Sequence, residues 1–239
     1  MKKLLGTALL FLAIVTLTIP SAHATLLGTV PLLPGDTVVP GLTSASPGTL
    51  LASLSVPWIS SLGTSSGTLV SAVFREAGGT MDFYYQLTNN LTAPNCGTPG
   101  KPACDPLSRE ADTNFMSWLT FVGYRIDGLS LPGGVFVNGT VPPVTADRNS
   151  TGSVVGFQYN PPDPAKIQPG QTGYVVVIST NALNFMAGNA SIIDGGVTTV
   201  ASFAPAPTTP PVPEPASFLL FGGGIIALIG RRRRVGVQP

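Results

Sequence analysis

Histidine is almost missing from this chain. The one copy, His23, lies in a stretch that the N-terminal pattern marks for removal. A chain without it can build no Ser-His-Asp triad, no Cys-His pair and no histidine-ligated zinc site. Charge is also scarce, at 10% of residues. The formal net charge of +1 is an average over unlike parts. Without Lys2, Lys3 and Arg231, Arg232, Arg233 and Arg234, six basic residues face eleven acids, a net charge of −5. That balance excludes a basic footprint for nucleic acid, so no nucleic-acid partner is expected. Phosphate-cradling glycine motifs are lacking: Gly222, Gly223 and Gly224 fall inside an apolar run. No cofactor and no metal is expected. Lys, Glu and Gln are few, whereas Thr, Ser, Val, Gly and Asn are plentiful. That is the balance of an all-β extracellular domain rather than a helical enzyme.

Both ends read as address labels. Lys2 and Lys3 precede an uncharged apolar stretch, Leu4 to Ile19, and Ala22-His23-Ala24 is a small-x-small cleavage pattern. Residues 1–24 are therefore expected to be a signal peptide removed by signal peptidase, leaving Thr25 first. At the other end, Val212, Pro213, Glu214, Pro215, Ala216 and Ser217 precede an apolar segment, 217–230, and then Arg231 to Arg234. Fourteen residues of helix span only ~21 Å, against a hydrocarbon thickness of ~30 Å. Spanning the inner membrane would need local thinning and arginine snorkelling. The arginines stay cytoplasmic and leave the body of the chain outside.

This tripartite tail resembles the PEP-CTERM sorting signal of Gram-negative bacteria, on Pro213-Glu214-Pro215, the apolar run and the arginine cluster. The resemblance implies recognition by exosortase, a membrane-embedded cysteine transpeptidase-like protease that cuts near the Pro-Glu-Pro. It also implies a membrane-held intermediate with its ectodomain in the periplasm, then the cell surface or medium. Such hosts usually make exopolysaccharide and biofilm, so exopolysaccharide is a candidate partner. The triple glycine and the tail 235–239 depart from the pattern. The resemblance is silent on the ectodomain.

Residues 25–203 are expected to form an antiparallel β-sandwich or jelly-roll-like ectodomain of seven to nine strands, followed by a Pro/Thr-rich linker, 204–211. The clearest pair is Gly67 to Glu76 and Thr80 to Thr88, joined by Ala77-Gly78-Gly79. Alternation in the second half predicts a half-buried strand with Met81, Phe83, Tyr85 and Leu87 inward and Asp82, Tyr84 and Gln86 outward. Leu50 to Val56 is expected to end at Pro57, Val135 to Val137 to be a short strand, and Asn181 to Phe185 a helical turn. Tyr174 to Ser179 reads as a central strand. Asn89 to Ser108 reads as a loop stapled by a disulfide between Cys96 and Cys104.

Candidate chemistry in the ectodomain is thin. Tyr84, Trp58 and Trp118 could form an aromatic platform for sugar, with Tyr84 foremost. A secreted hydrolase would have to use Glu76 or Glu110. Asp105, Glu110 and Asp112 flank the stapled loop without the spacing of a calcium motif. The reading reached is an exported, non-enzymatic surface or matrix protein. A carbohydrate-binding or adhesin module and an Asp/Glu-dependent hydrolase stand as alternatives.

Overall fold

The computed structural model describes residues 26–194 and 196–207. The expected signal peptide with Ala22, Ala24 and Thr25, most of the expected linker, the motif 212–217 and Arg231 to Arg234 lie outside them. Thirteen strands make up two sheets among the described residues. The first sheet holds β1 (Val30–Pro31), β3 (Gly41–Leu42), β4 (Thr49–Ile59), β5 (Ser66–Arg75), β6 (Met81–Asn89), β8 (Thr120–Arg125) and β11 (Val175–Thr180). Its order is β1-β8-β11-β6-β5-β4, with β3 beside β8 in a short parallel pairing. The second holds β2 (Thr37–Val38), β7 (Arg109–Thr113), β9 (Thr145–Arg148), β10 (Val154–Gln158), β12 (Phe185–Ile193) and β13 (Val197–Pro205), in the order β13-β12-β7-β10-β9-β2. All other pairings are antiparallel.

The hairpin forms as its sequence predicts. Gly79 takes a φ of 86°, which a side chain would resist, and Glu76 and Thr80 close the turn through a backbone hydrogen bond. The β-branched run of β11 lies between β8 and β6 and is buried throughout. Pro57 does not end β4. It pairs with Thr68 inside the strand, and β4 is the sheet edge, where a missing N–H costs no ladder bond. Val135 to Val137 is not a strand. Gln86 supplies its ladder instead, accepting from the Val137 N–H at 3.0 Å and donating to the Val137 carbonyl at 2.7 Å. Asn181 to Asn184 is a bend rather than a helical turn. The last strand runs past Phe203 to Pro205, and the Ala206 N–H donates to the Asn184 carbonyl, so the domain edge lies beyond residue 203.

Two hydrophobic clusters hold this arrangement. The larger fills the space between the sheets with Leu32, Trp58, Phe83, Tyr85, Phe115, Val155, Phe157, Tyr159 and Ile178, among others. The smaller lies on the opposite face of the first sheet, where Phe74, Tyr84, Val175 and Val177 are roofed by Leu26, Leu131 and Phe136. Roofing explains why β6 is not half-buried: eight of its nine residues are shut from solvent. Cys96 and Cys104 are joined in a disulfide with their Cα atoms 4.9 Å apart.

Candidate functional site

The aromatic platform is the first expectation to fail. Tyr84 is fully buried, in edge contact with Phe74 at 4.7 Å between ring centroids and beside Phe136. Trp58 is 4% exposed and lies over Gly67, where a Cβ would meet its ring at 2.8 Å. Neither ring can stack on a sugar. Alternation placed Tyr84 outward correctly with respect to its own strand, but the outward face is covered by loops.

The candidate acids are also redistributed. In the sequence, the segment around Glu110 and Asp112 has the look of a loop margin. It is instead β7, a central strand of the second sheet. Both acids share one face of that strand, opposite Phe157 and Ile192 at one position and Val155 and Ala190 at the other. Those neighbours belong to the inter-sheet core, so two carboxyl groups sit inside it. All four of their oxygens lack a hydrogen-bond partner, as do the hydroxyls of Tyr159 and Ser202. Burial pushes Glu110 up to about 8 and Asp112 well above the ordinary carboxylate range, the latter reinforced by Glu110. At neutral pH both are therefore mainly neutral acids. Asp105 does not join them, and among the described residues no three His, Cys, Asp or Glu side chains gather as a metal site would need.

Asp82 is the second buried acid, on the roofed face of β6. Burial, with Glu76 beside it, pushes it up to about 8. Ser179 and the Thr180 backbone are its polar neighbours, neither in full hydrogen-bonding geometry. Glu76 itself accepts from the Gly48 N–H at 2.9 Å. Close by, the Arg125 guanidinium grips Asp127 through Nε at 3.0 Å and Nη2 at 2.9 Å, holding that carboxyl below its usual range. Glu76 and Glu110 lie in these different clusters, one on the roofed face and one between the sheets, so they do not pair as a glycosidase's acids do.

The open features lie elsewhere, on the loop before β8 that carries Trp118, the third ring of the expected platform. Between β7 and β8, Asn114 and Ser117 take φ values of 74° and 69°, uncommon for residues with a side chain. The loop is fixed from below by Arg148, a 4%-exposed side chain on β9. Its Nη2 donates to the Phe115 carbonyl at 2.6 Å and the Trp118 carbonyl at 3.0 Å, its Nη1 to the Leu32 carbonyl at 3.1 Å, and its Nε to the Gly152 carbonyl at 3.0 Å. Among the described residues no carboxylate comes within ion-pair distance of it. Trp118 thereby stands as a wall shared by two clefts. One, of about 270 Å³, runs between the Pro31–Pro34 segment and the loop, with Arg148 in its lining. The other, of about 500 Å³, is bounded by Met116, Met186, Pro205 and Pro207. Only the aromatic residue hinted at this place in the sequence; a buried arginine held by carbonyls leaves no pattern.

No helix among the described residues is long and apolar enough to cross a membrane. No curated protein and no solved structure matches the chain. A family model does match its last part, over residues 211–234, and it is that of the PEP-CTERM protein-sorting motif. The motif makes the chain an exported protein, sorted to the cell surface through a membrane-associated intermediate with exosortase as its processing partner.

Proposed function

We propose that the mature domain is a non-enzymatic component of the cell surface or extracellular polymer matrix, associated with exopolysaccharide. The observation that supports a non-catalytic reading is the position of its acids. The carboxyl groups with the most altered proton affinity are sealed inside hydrophobic clusters, and neither cleft beside Trp118 is lined by a carboxylate. A hydrolase needs such a group within reach of substrate. The sorting motif supports the location, because it delivers the chain where such polymers accumulate.

Fractionating the native host tests this reading. The processed chain is expected with washed extracellular polymer or the cell surface, and to be freed when the polysaccharide is digested. A chain found only in the medium would contradict the matrix association. Release of reducing ends from a polysaccharide panel, lost in Glu76→Gln or Glu110→Gln, would contradict the absence of catalysis.

A further inference from the structure

The smaller cleft beside Trp118 combines an unusual set of features. Its walls are apolar, from Leu33, Pro34, Leu119 and Phe121, and its one charged lining residue is Arg148. A buried cation without a counter-ion is costly, and carbonyl dipoles offset its charge only in part. A guanidinium carries five N–H groups. Four hydrogen bonds to carbonyls occupy four of them, leaving one on Nη1 for an incoming acceptor. Few hydroxyl or amide groups line the cleft, so a sugar would leave most of its own hydroxyls unpaired there. A carboxylate flanked by compact apolar rings fits better. The prolines would pack on Trp118 and the cleft walls, and the acid would meet the arginine.

This chain carries such a segment, and it starts from the right place. Pro205 and Pro207 border the neighbouring cleft on the other side of Trp118, and β13 is tied there by the Ala206–Asn184 backbone bond. Glu214 follows Pro207 by seven residues, three of them proline, and is itself bracketed by Pro213 and Pro215. Seven extended residues reach about 20 Å, enough to cross one indole ring and enter the cleft beyond. We infer that the Trp118–Arg148 cleft is an intramolecular docking site for Val212-Pro213-Glu214-Pro215, with Glu214 paired to Arg148. This inference rests on the sorting motif and not on the matrix role.

Hydroxyl-radical footprinting of the full, uncleaved chain in detergent micelles tests it residue by residue. Trp118 and Leu33 are expected to react roughly threefold more slowly in the wild type than in Glu214→Gln or in Pro213→Ala/Pro215→Ala, as for a linked segment docked at high effective concentration. These changes lie outside the folded domain, and buried Trp58 reports that the fold is intact. Equal Trp118 reactivity in all three chains, with Trp58 protected, would overturn the docking. Protection that disappears on dilution would overturn the intramolecular assignment in favour of a second copy. Neither result would touch the matrix reading, which polymer fractionation decides separately.

Discussion

The two hydrophobic clusters each enclose acid, and they treat it differently. On the roofed face of the first sheet, Asp82 has Ser179, Glu76 and the Thr180 backbone as polar neighbours, and loops form the cover. Between the sheets, Glu110 and Asp112 face hydrocarbon and two tyrosines, Tyr85 and Tyr159, with no cation among the groups that perturb them. A loop can yield and admit water when Asp82 ionises. The inter-sheet core cannot do so without parting the sheets. In both places burial is the leading cause that makes a charge costly.

The largest effect that would break or sharpen this contrast is alkaline. The folded chain keeps a proton on Glu110 up to about 8, whereas the unfolded chain releases it near the ordinary value of 4.5. Between those values the folded state binds more protons, so stability falls as pH rises. It is fully present below the ordinary carboxylate range and lost through about pH 8. Urea unfolding at pH 5 and pH 9 should differ by about 4 kcal/mol from Glu110 alone. Glu110→Gln/Asp112→Asn should flatten that profile more than Asp82→Asn, because it removes two raised acids rather than one. A flat profile in the wild type would show that the inter-sheet acids are already compensated.

Next in size is Arg148→Met. It strips four carbonyls of their donor and should cost roughly 3 kcal/mol, with Trp118 becoming more exposed in its fluorescence. Replacing both Cys96 and Cys104 by serine should cost about 2.5 kcal/mol, as expected for a small closed loop. That loop lies beside neither acid cluster, so the pH profile should keep its shape. The smallest effect is Tyr84→Phe. The hydroxyl is buried without a hydrogen-bond partner, and its loss should change stability by less than about 1 kcal/mol, toward stabilisation. A large loss would mean that Arg125 uses it.

What could be read from the sequence follows from where patterns are local. The β5–β6 hairpin, the buried run of β11 and the cysteine staple depend on neighbours in the chain, and each was legible. The strand β7 was not, because Arg-Glu-Ala-Asp-Thr lacks apolar alternation and its two acids point into the core. Tyr84 misled for a related reason: alternation gives the face of a strand, not what covers that face. The Trp118 loop depends on Arg148 reaching across from another sheet strand, which no local pattern records. The sorting motif was legible because its function resides in contiguous residues rather than in a fold.

The most direct measurement of the account is the intact mass of the protein recovered from its native host's surface and medium. A chain that starts at Thr25 and ends near Pro213 to Pro215 is the expected result, with both address labels removed. A chain that still ends at Pro239 and stays in the membrane fraction would contradict processing by exosortase and leave a membrane-anchored protein in its place.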